Sequence, residues 1–495
     1  MTDTVKPHAE PLIPPIASRS SYNGYSYYDR FGAFHATQLR SRLALPIVAL
    51  VLIMAVLPAN AVTKVGKNID ITASNDPTER QQVEPTIAVD PRNPNIIVAG
   101  AQDYRLLSVG GHRWHGFYRS TDDGLTWTVS LVPGFPGDNS SQGLSSPLHA
   151  FQCTSDPVLT FDRNGNVYYT GITCSTPGFT LFVVKYTGDG ATYAGTTLFP
   201  ISTYHHADKP WIAVDTSGGQ NDGAVYLSYD DVFAQGPQGA TLVSSRDGGQ
   251  TWSLPMAINP GGFDTGITVD QNGRVFVSSL SSGFPHASMF MSISIDGGHT
   301  FTTHRIFDVT ELPRSLPGNS FRTFTIPQLA SDSNGVYVVW DDYGLGNSNV
   351  MFSKSTDRGN TWTTPTRVND VITGQHFFSS IAASGGVISI VWYDSRFGQL
   401  SNGTITGLNV FYAQSTNAGS SFSKNIRVTS ASFNPNLAER ADFGNTQPFM
   451  GDYIQVAASP GAAHPIWTDN RDACSNTVPI FGCTNQDLFT ATIRF

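Results

Sequence analysis

Short apolar runs recur from residue 62 to the end of the chain, bounded by Gly, Pro, Asn and Asp, and they come in pairs. The first run of a pair has the form P-x-I-A-V-D and the second the form G-x-V-Y-V-x-W. First runs begin near Pro85, Pro157, Pro210, Gly266, Pro327, Ser379 and Tyr453, seven in all. Second runs follow at Ile96 to Ala101, Val167 to Ile172, Val225 to Tyr229, Val275 to Leu280, Val336 to Trp340, Val387 to Tyr393 and Ala462 to Trp467. Apolar and polar positions alternate only imperfectly, the pattern of strands packed on both faces. No long helical period stands out after residue 62.

After each pair comes a turn. The motif S-x-D-x-G-x-T-W is clear at Ser120 to Trp127, Ser245 to Trp252, Ser294 to Phe301 and Ser355 to Trp362, and Asn417 replaces the aspartate in a fifth copy at Ser415 to Phe422. The last four copies start 49, 61 and 60 residues apart but the first two 125, so a copy is expected between them, and a degraded one stands at Tyr186 to Tyr193. The Gly permits a positive φ, the Asp accepts from turn amides, and the aromatic packs between sheets. Placed between the third and fourth strands of a unit, the turns predict an all-β, seven-bladed β-propeller of four-stranded blades. The last unit ends after a third strand. An N-terminal strand at Lys67 to Ala73 is expected to complete it and close the ring, removing exposed edges.

Composition agrees: charged residues are 14%, with 47 Gly and 30 Pro. A net charge of −9 without a basic stripe argues against nucleic acid as a partner. Leu43 to Leu57 is apolar apart from Pro46, follows Arg40 and Arg42, and precedes the small-residue pattern Ala59-Asn60-Ala61. The expected organisation is a disordered tail or extended n-region over 1–42, a signal peptide or uncleaved membrane anchor over 43–61, and the propeller over 62–495. Export to the medium or cell surface suits disulfides. Cys153 and Cys174 flank a predicted hairpin turning at Asn164-Gly165, and Cys474 and Cys483 close a short loop, so both pairs are expected to be bonded.

The repeated turn resembles the Asp-box (BNR) repeat of the sialidase-like propellers, which act on extracellular glycans. The resemblance runs over residues 64 to 495 and implies that Asp122, Asp247, Asp296 and Asp357 are structural, on the face away from the active site. The opposite face carries the starts of first strands and the ends of second strands. Their starts hold Glu84, Asp156, Asp208 with Lys209, Asp264, and Asp452 with Tyr453. Their ends hold Asp103-Tyr104-Arg105, Asp230-Asp231, Asp341-Asp342, Asp394-Ser395-Arg396 and Asp469-Asn470-Arg471. By the sialidase analogy Arg105, Arg396 and Arg471 would converge on a substrate carboxylate, Tyr104 or Tyr453 would be the nucleophile, Glu84 its base, and Asp156 or Asp208 the acid. The sequence departs from that pattern in lacking an Arg-Ile-Pro segment, to which Arg322 in Phe321 to Pro327 is the nearest echo, and in having seven blades where the sialidases have six.

Two alternatives stand beside this reading. Trp392 to Arg396 and Trp467 to Arg471 are near-copies, and repetition favours a blade-stabilising Asp–Arg pair. The competing readings for the whole chain are a non-catalytic propeller that binds a glycan or protein, and a cell-surface assembly factor. His205 and His206 are read as loop residues rather than metal ligands, and no cofactor or metal motif is evident. The expected partner is an extracellular glycan or glycoprotein, met by a monomer.

Overall fold

The computed structural model describes residues 62–72, 81–174, 179–199, 205–233, 238–438, 448–471 and 486–495. The leader segment and the pair Cys474 and Cys483 lie outside these residues. Seven antiparallel sheets follow one another along the chain, and their first strands form a closed ring in which Gln455–Ser459 of the seventh packs against Gln82–Val89 of the first. This is a seven-bladed propeller.

Within each blade, burial falls from the axis outward. The second strand of blade one, Ile97–Asp103, is buried along its length, whereas its fourth, Thr128–Leu131, alternates exposed and half-buried positions. Second strands carry Trp340, Trp392 and Trp467, all fully buried between neighbouring sheets, which explains their weak alternation in the sequence. The last blade takes its outer edge from the N-terminal segment, as expected, but as two short pieces. Lys64–Val65 pairs with Ile493–Arg494, and Ile69–Asp70 pairs with Asp487–Thr490. The intervening Gly66 donates its amide to the Thr492 carbonyl at 2.8 Å, a close approach in which a Cβ would sit 2.9 Å from that oxygen. His205 and His206 begin the first strand of blade three, His205–Val214, and so are not loop residues.

The repeated turns share one hydrogen-bond pattern. In the first, Ser120 Oγ donates to Asp122 Oδ1 (2.8 Å), the Gly124 amide donates to Ser120 Oγ (3.0 Å), and Thr126 donates through its amide and hydroxyl to Asp122 (2.9 and 2.6 Å). Gly124 has φ of 82°, the left-handed conformation that the motif glycine provides. Cations then tie each turn to its neighbour: Arg119 donates to the Asp189 carbonyl (2.7 Å), Lys185 to Gly248 (2.8 Å), Lys354 to Ala418 (2.6 Å), and Arg494 reaches Asp123 across the ring closure.

Candidate active site

The far ends of the blades are built by a second, less regular device. In blades one, two, three, four and six the first strand slips register at its start, and the residue inside the slip is left-handed: Glu84 (φ 55°), Asp156 (60°), Lys209 (46°), Asp264 (57°) and Phe378 (55°). A non-glycine residue held there costs about 1–3 kcal/mol, and a bulge of this kind re-aims a side chain out of the pleat. Carboxylates of the preceding blade secure three of the bulge amides. Lys209 N donates to Asp156 Oδ2 (3.2 Å), Asp264 N to Asp230 Oδ2 (2.8 Å), and Phe378 N to Asp341 Oδ2 (2.7 Å).

Three of the bulge residues, Asp156, Lys209 and Asp264, line one cavity of about 690 Å³ together with Asp208, Asp230, Asp452, Arg113, Arg314, Arg322 and Phe324. Glu84 lies beside it, 1% exposed, with Arg322 Nη2 at 4.0 Å from its carboxylate. Asp452 of blade seven binds blade three and the connection that follows blade four. It receives Lys209 Nζ at 2.8 Å and Arg322 through Nε and Nη2 at 2.8 and 2.6 Å. The Phe324 ring is a hub for the cations: Lys209 Nζ stands 4.6 Å from its centroid, and the guanidinium carbons of Arg314 and Arg322 4.2 and 5.2 Å.

These environments drive neighbouring carboxyls apart. Burial would raise Asp452, but Lys209 and Arg322 outweigh it and hold the carboxylate below its ordinary range. Asp208 goes the other way, pushed up to about 7 by burial and then by Asp156. Burial also raises Glu84, with Asp156 and Asp452 adding to it, and raises Asp230, with Asp264 adding. Lys209 is largely withdrawn from solvent, which favours the neutral amine, yet Asp452, Asp208, Asp264 and Asp156 surround it and raise it, so it is a cation. One cavity thus holds a carboxyl that keeps its proton near neutrality and another that is fixed as an anion, the separation that acid–base chemistry requires.

Of the candidate residues, the structure brings Asp156 and Asp208 into this cavity and Glu84 to its edge. It does not bring the tyrosines there. Tyr453 is 6% exposed, donates its hydroxyl to the Pro157 carbonyl (3.0 Å), and is raised far above the ordinary phenol range by burial and then by Glu84, the reverse of an activated nucleophile. Tyr104 is 1% exposed and donates to Gln102 Oε1 at 3.3 Å.

The three expected arginines do not converge either. Arg105 is bonded to Asp103, Arg396 to Asp394 and Arg471 to Asp469, each two residues back at the end of a second strand. Trp392 and Trp467 donate to the same two aspartates at 3.0 Å, and Arg396 and Arg471 stack on Phe411 and Phe489 at 4.1 and 4.3 Å. These are repeated blade fasteners. Among the described residues the arginines that line the cavity are Arg113, Arg314 and Arg322. The last two come from the irregular connection Glu311 to Pro327 between blades four and five, and a connection of that length without strand pattern was the available signal.

Cys153 and Cys174 stand opposite one another, the Cys174 amide donating to the Cys153 carbonyl at 3.0 Å. Cys153 Sγ lies 3.2 Å from the Cys174 carbonyl oxygen.

No family model matches the chain. A xyloglucanase from Paenibacillus sp is 26% identical over 269 residues, 48% of this chain and 24% of that protein, so the chain spans about a quarter of that relative's length. Among solved structures, a Dyadobacter fermentans protein of unknown function is similar with a TM-score of 0.46 at 14% identity, covering 88% of this chain and 99% of that one. A Hadza microbial sialidase gives 0.43 at 13% identity, covering 80% and 73%, and a phage phi92 endosialidase gives 0.44 at 13%, covering 87% and 69%.

Proposed function

We propose that the cavity binds and hydrolyses a glycoside carrying a carboxylate of the uronic-acid type. The observation that supports this best is the pairing, in one 690 Å³ space, of Asp208, which holds a proton near neutrality, with arginines that still face solvent. Arg322 uses one edge on Asp452 yet its side chain is 36% exposed, and Arg314 is exposed. Both can present paired N–H groups to a substrate carboxylate. Asp208 is the general acid for the glycosidic oxygen. Asp264, on the next blade and within the fields of Lys209 and Arg314, is the second carboxylate.

The positions of the tyrosines bear on the sugar. A carboxylate nucleophile or base is repelled when the substrate carries its own carboxylate next to the anomeric carbon, the circumstance that favours tyrosine. With Tyr104 and Tyr453 both buried away from the cavity lining, a carboxylate elsewhere on the ring fits better. The apolar stretch Leu43 to Leu57 and the small residues after it are the grounds for proposing that the protein is exported and meets its glycan outside the cell. The sequence similarity to a xyloglucanase is compatible with a carbohydrate substrate.

A second reading, a glycan-binding propeller without catalysis, draws on Asp156 and Asp230, each of which accepts a bulge amide and is in part structural. The deciding experiment is a panel of chromogenic glycosides, with uronides and sialosides included, against the chain from Val62 and its Asp208→Asn variant. Uronide turnover that Asp208→Asn abolishes supports the hydrolase. Tight uronide binding without turnover in either protein would replace it with the binder.

A further inference from the structure

Phe324 stands in the cavity wall with three cations over one ring: Arg314 at 4.2 Å from its centroid, Lys209 at 4.6 Å and Arg322 at 5.2 Å. Their other attachments differ. Lys209 Nζ and two nitrogens of Arg322 are bound to Asp452, and Arg322 also lies over Phe449 at 4.6 Å. Among the described residues no hydrogen bond or ion pair holds the guanidinium of Arg314, which is exposed, so the face of Phe324 is what it rests on. The backbone puts the two side by side. In the connection from Glu311 to Pro327 the two arms run back along each other: Thr323 N donates to the Arg314 carbonyl (2.9 Å), Thr323 Oγ1 to the Pro313 carbonyl (2.6 Å), and Leu312 N to Thr325 Oγ1 (3.0 Å). The Thr325 hydroxyl donates in turn to the Asp341 carbonyl of blade five (3.1 Å), and Asn319 Oδ1 accepts from Ile405 N of blade six (2.9 Å). The connection is thus fixed at both places, and Phe324 with it.

An arginine that pairs with an aspartate commits in-plane N–H donors, as Arg105, Arg396 and Arg471 do, whereas an arginine drawn to the face of a ring commits none of them to it. The difference matters in this cavity, which is also lined by Asp156, Asp208, Asp230, Asp264 and Asp452. Asp264 and Glu311 lie within the field of Arg314, and either is a competitor for its donors. We propose that Phe324 is the positioning residue of the carboxylate clamp: its face holds Arg314 away from the cavity's own carboxyls and leaves the in-plane donors to the substrate. The proposal rests on the uronide reading and supplies what that reading needs, a way for an acidic cavity to take an acidic sugar. Asp452 occupies Lys209 and much of Arg322, while an uncharged ring holds Arg314 in place without using what the substrate requires. A guanidinium already in position costs less to order when the sugar arrives.

The test is calorimetric titration of the full chain with glucuronate and galacturonate, and with glucose and galactose as their uncharged counterparts. The unaltered protein should bind one uronate about tenfold tighter than its counterpart, or better. Phe324→Leu should weaken that uronate by about tenfold and leave the neutral sugar unchanged. Replacing Phe324 with pentafluorophenylalanine, which keeps the outline of the ring and inverts the charge of its face, should do the same, and it keeps the test available if thermal melts show that the leucine variant has not folded. Lys209 and Arg322 also meet the ring, so Arg314→Met supplies the control: in that background the ring replacements should cost nothing further. Uronate affinity unmoved by the ring replacements, or a loss that persists in full with Arg314→Met, overturns the proposal and leaves the uronide reading standing. An unaltered protein that does not prefer a uronate to its counterpart overturns that reading, and the role of Phe324 with it.

Discussion

The outer turns and the central cavity are both organised around aspartate, and their carboxyls are pushed in opposite directions. In the turns, Asp247 is exposed and is lowered by the hydroxyl and amide of Thr251, and Asp357 is lowered in the same way by Thr361. In the cavity, Asp208 and Asp264 are half-buried and Asp230 is buried, and loss of solvent is the first cause that raises each. An exposed carboxylate collecting local donors is a fastener that any blade can repeat. A buried carboxyl with carboxyl neighbours destabilises its own ionised form, and a fold retains such a group only where other interactions over-determine it. The Asp–Arg pairs of blades one, six and seven sit on the cavity's side of the molecule but belong with the turns in character: they repeat, and each aspartate is matched by its own arginine.

The comparison is broken most directly by moving the proton. Asp208→Asn should lower kcat/KM on the uronide by about 10²–10⁴-fold, the range for losing a general acid, with little change in melting temperature. Conversely, Lys209→Met should act first on the fold. It removes the cation that Asp452, Asp208 and Asp264 surround, and an uncompensated buried charge costs about 3–5 kcal/mol, visible as a lowered urea midpoint. If Lys209→Met leaves the midpoint unchanged, the ion cluster is not what holds the three blades together.

Titration sharpens the same point. The acid works only while protonated, so kcat/KM should fall as pH rises through about 7. For stability the sign is as follows: the folded value lies above the unfolded one near about 4, so the contribution of Asp208 is complete below that pH and is lost between there and about 7. A flat rate profile across this interval would remove Asp208 from the chemistry. The cysteines offer a smaller, purely structural check. If Cys153 and Cys174 close a disulfide in the purified protein, reduction will add the mass of two hydrogens and remove about 2–4 kcal/mol; an unchanged mass would establish thiols.

What could be read from the sequence followed the same division between repeated and singular. Seven strand pairs and their turns were legible because each copy supports the others, so that even the degraded turn at Tyr186 to Tyr193 is found between a third and a fourth strand. The starts of first strands gave Glu84, Asp156, Asp208, Lys209, Asp264 and Asp452, and the structure gathers these at the axis, because propeller topology alone fixes where strand starts meet. Arg314 and Phe324 escaped, and Arg322 was met only as an echo of Arg-Ile-Pro, for the complementary reason. They lie in a connection that occurs once, and nothing in a repeat predicts the course of an insertion. Repetition also misdirected: the near-copies around Arg396 and Arg471 drew attention to arginines already bonded to the aspartate two residues back.

The smallest effect expected tests the fasteners themselves. In the blade-four turn, Asp296 accepts from the Ser294 hydroxyl (2.7 Å), the Thr300 amide (2.9 Å) and the Thr300 hydroxyl. Its replacement by Ala leaves those donors to water, which is near at hand, so the loss should be about 1 kcal/mol rather than the several of a buried group. Turnover and the pH of its basic limb should be those of the unaltered protein. Asp296→Asn, which keeps an acceptor as Asn417 does in blade six through its bond from the Ser421 amide (3.0 Å), should recover most of the stability. A fall in kcat/KM with Asp296→Ala, at unchanged stability, would mean that the two aspartate populations are coupled through the blades and that the division between fastener and chemistry drawn from their environments does not hold.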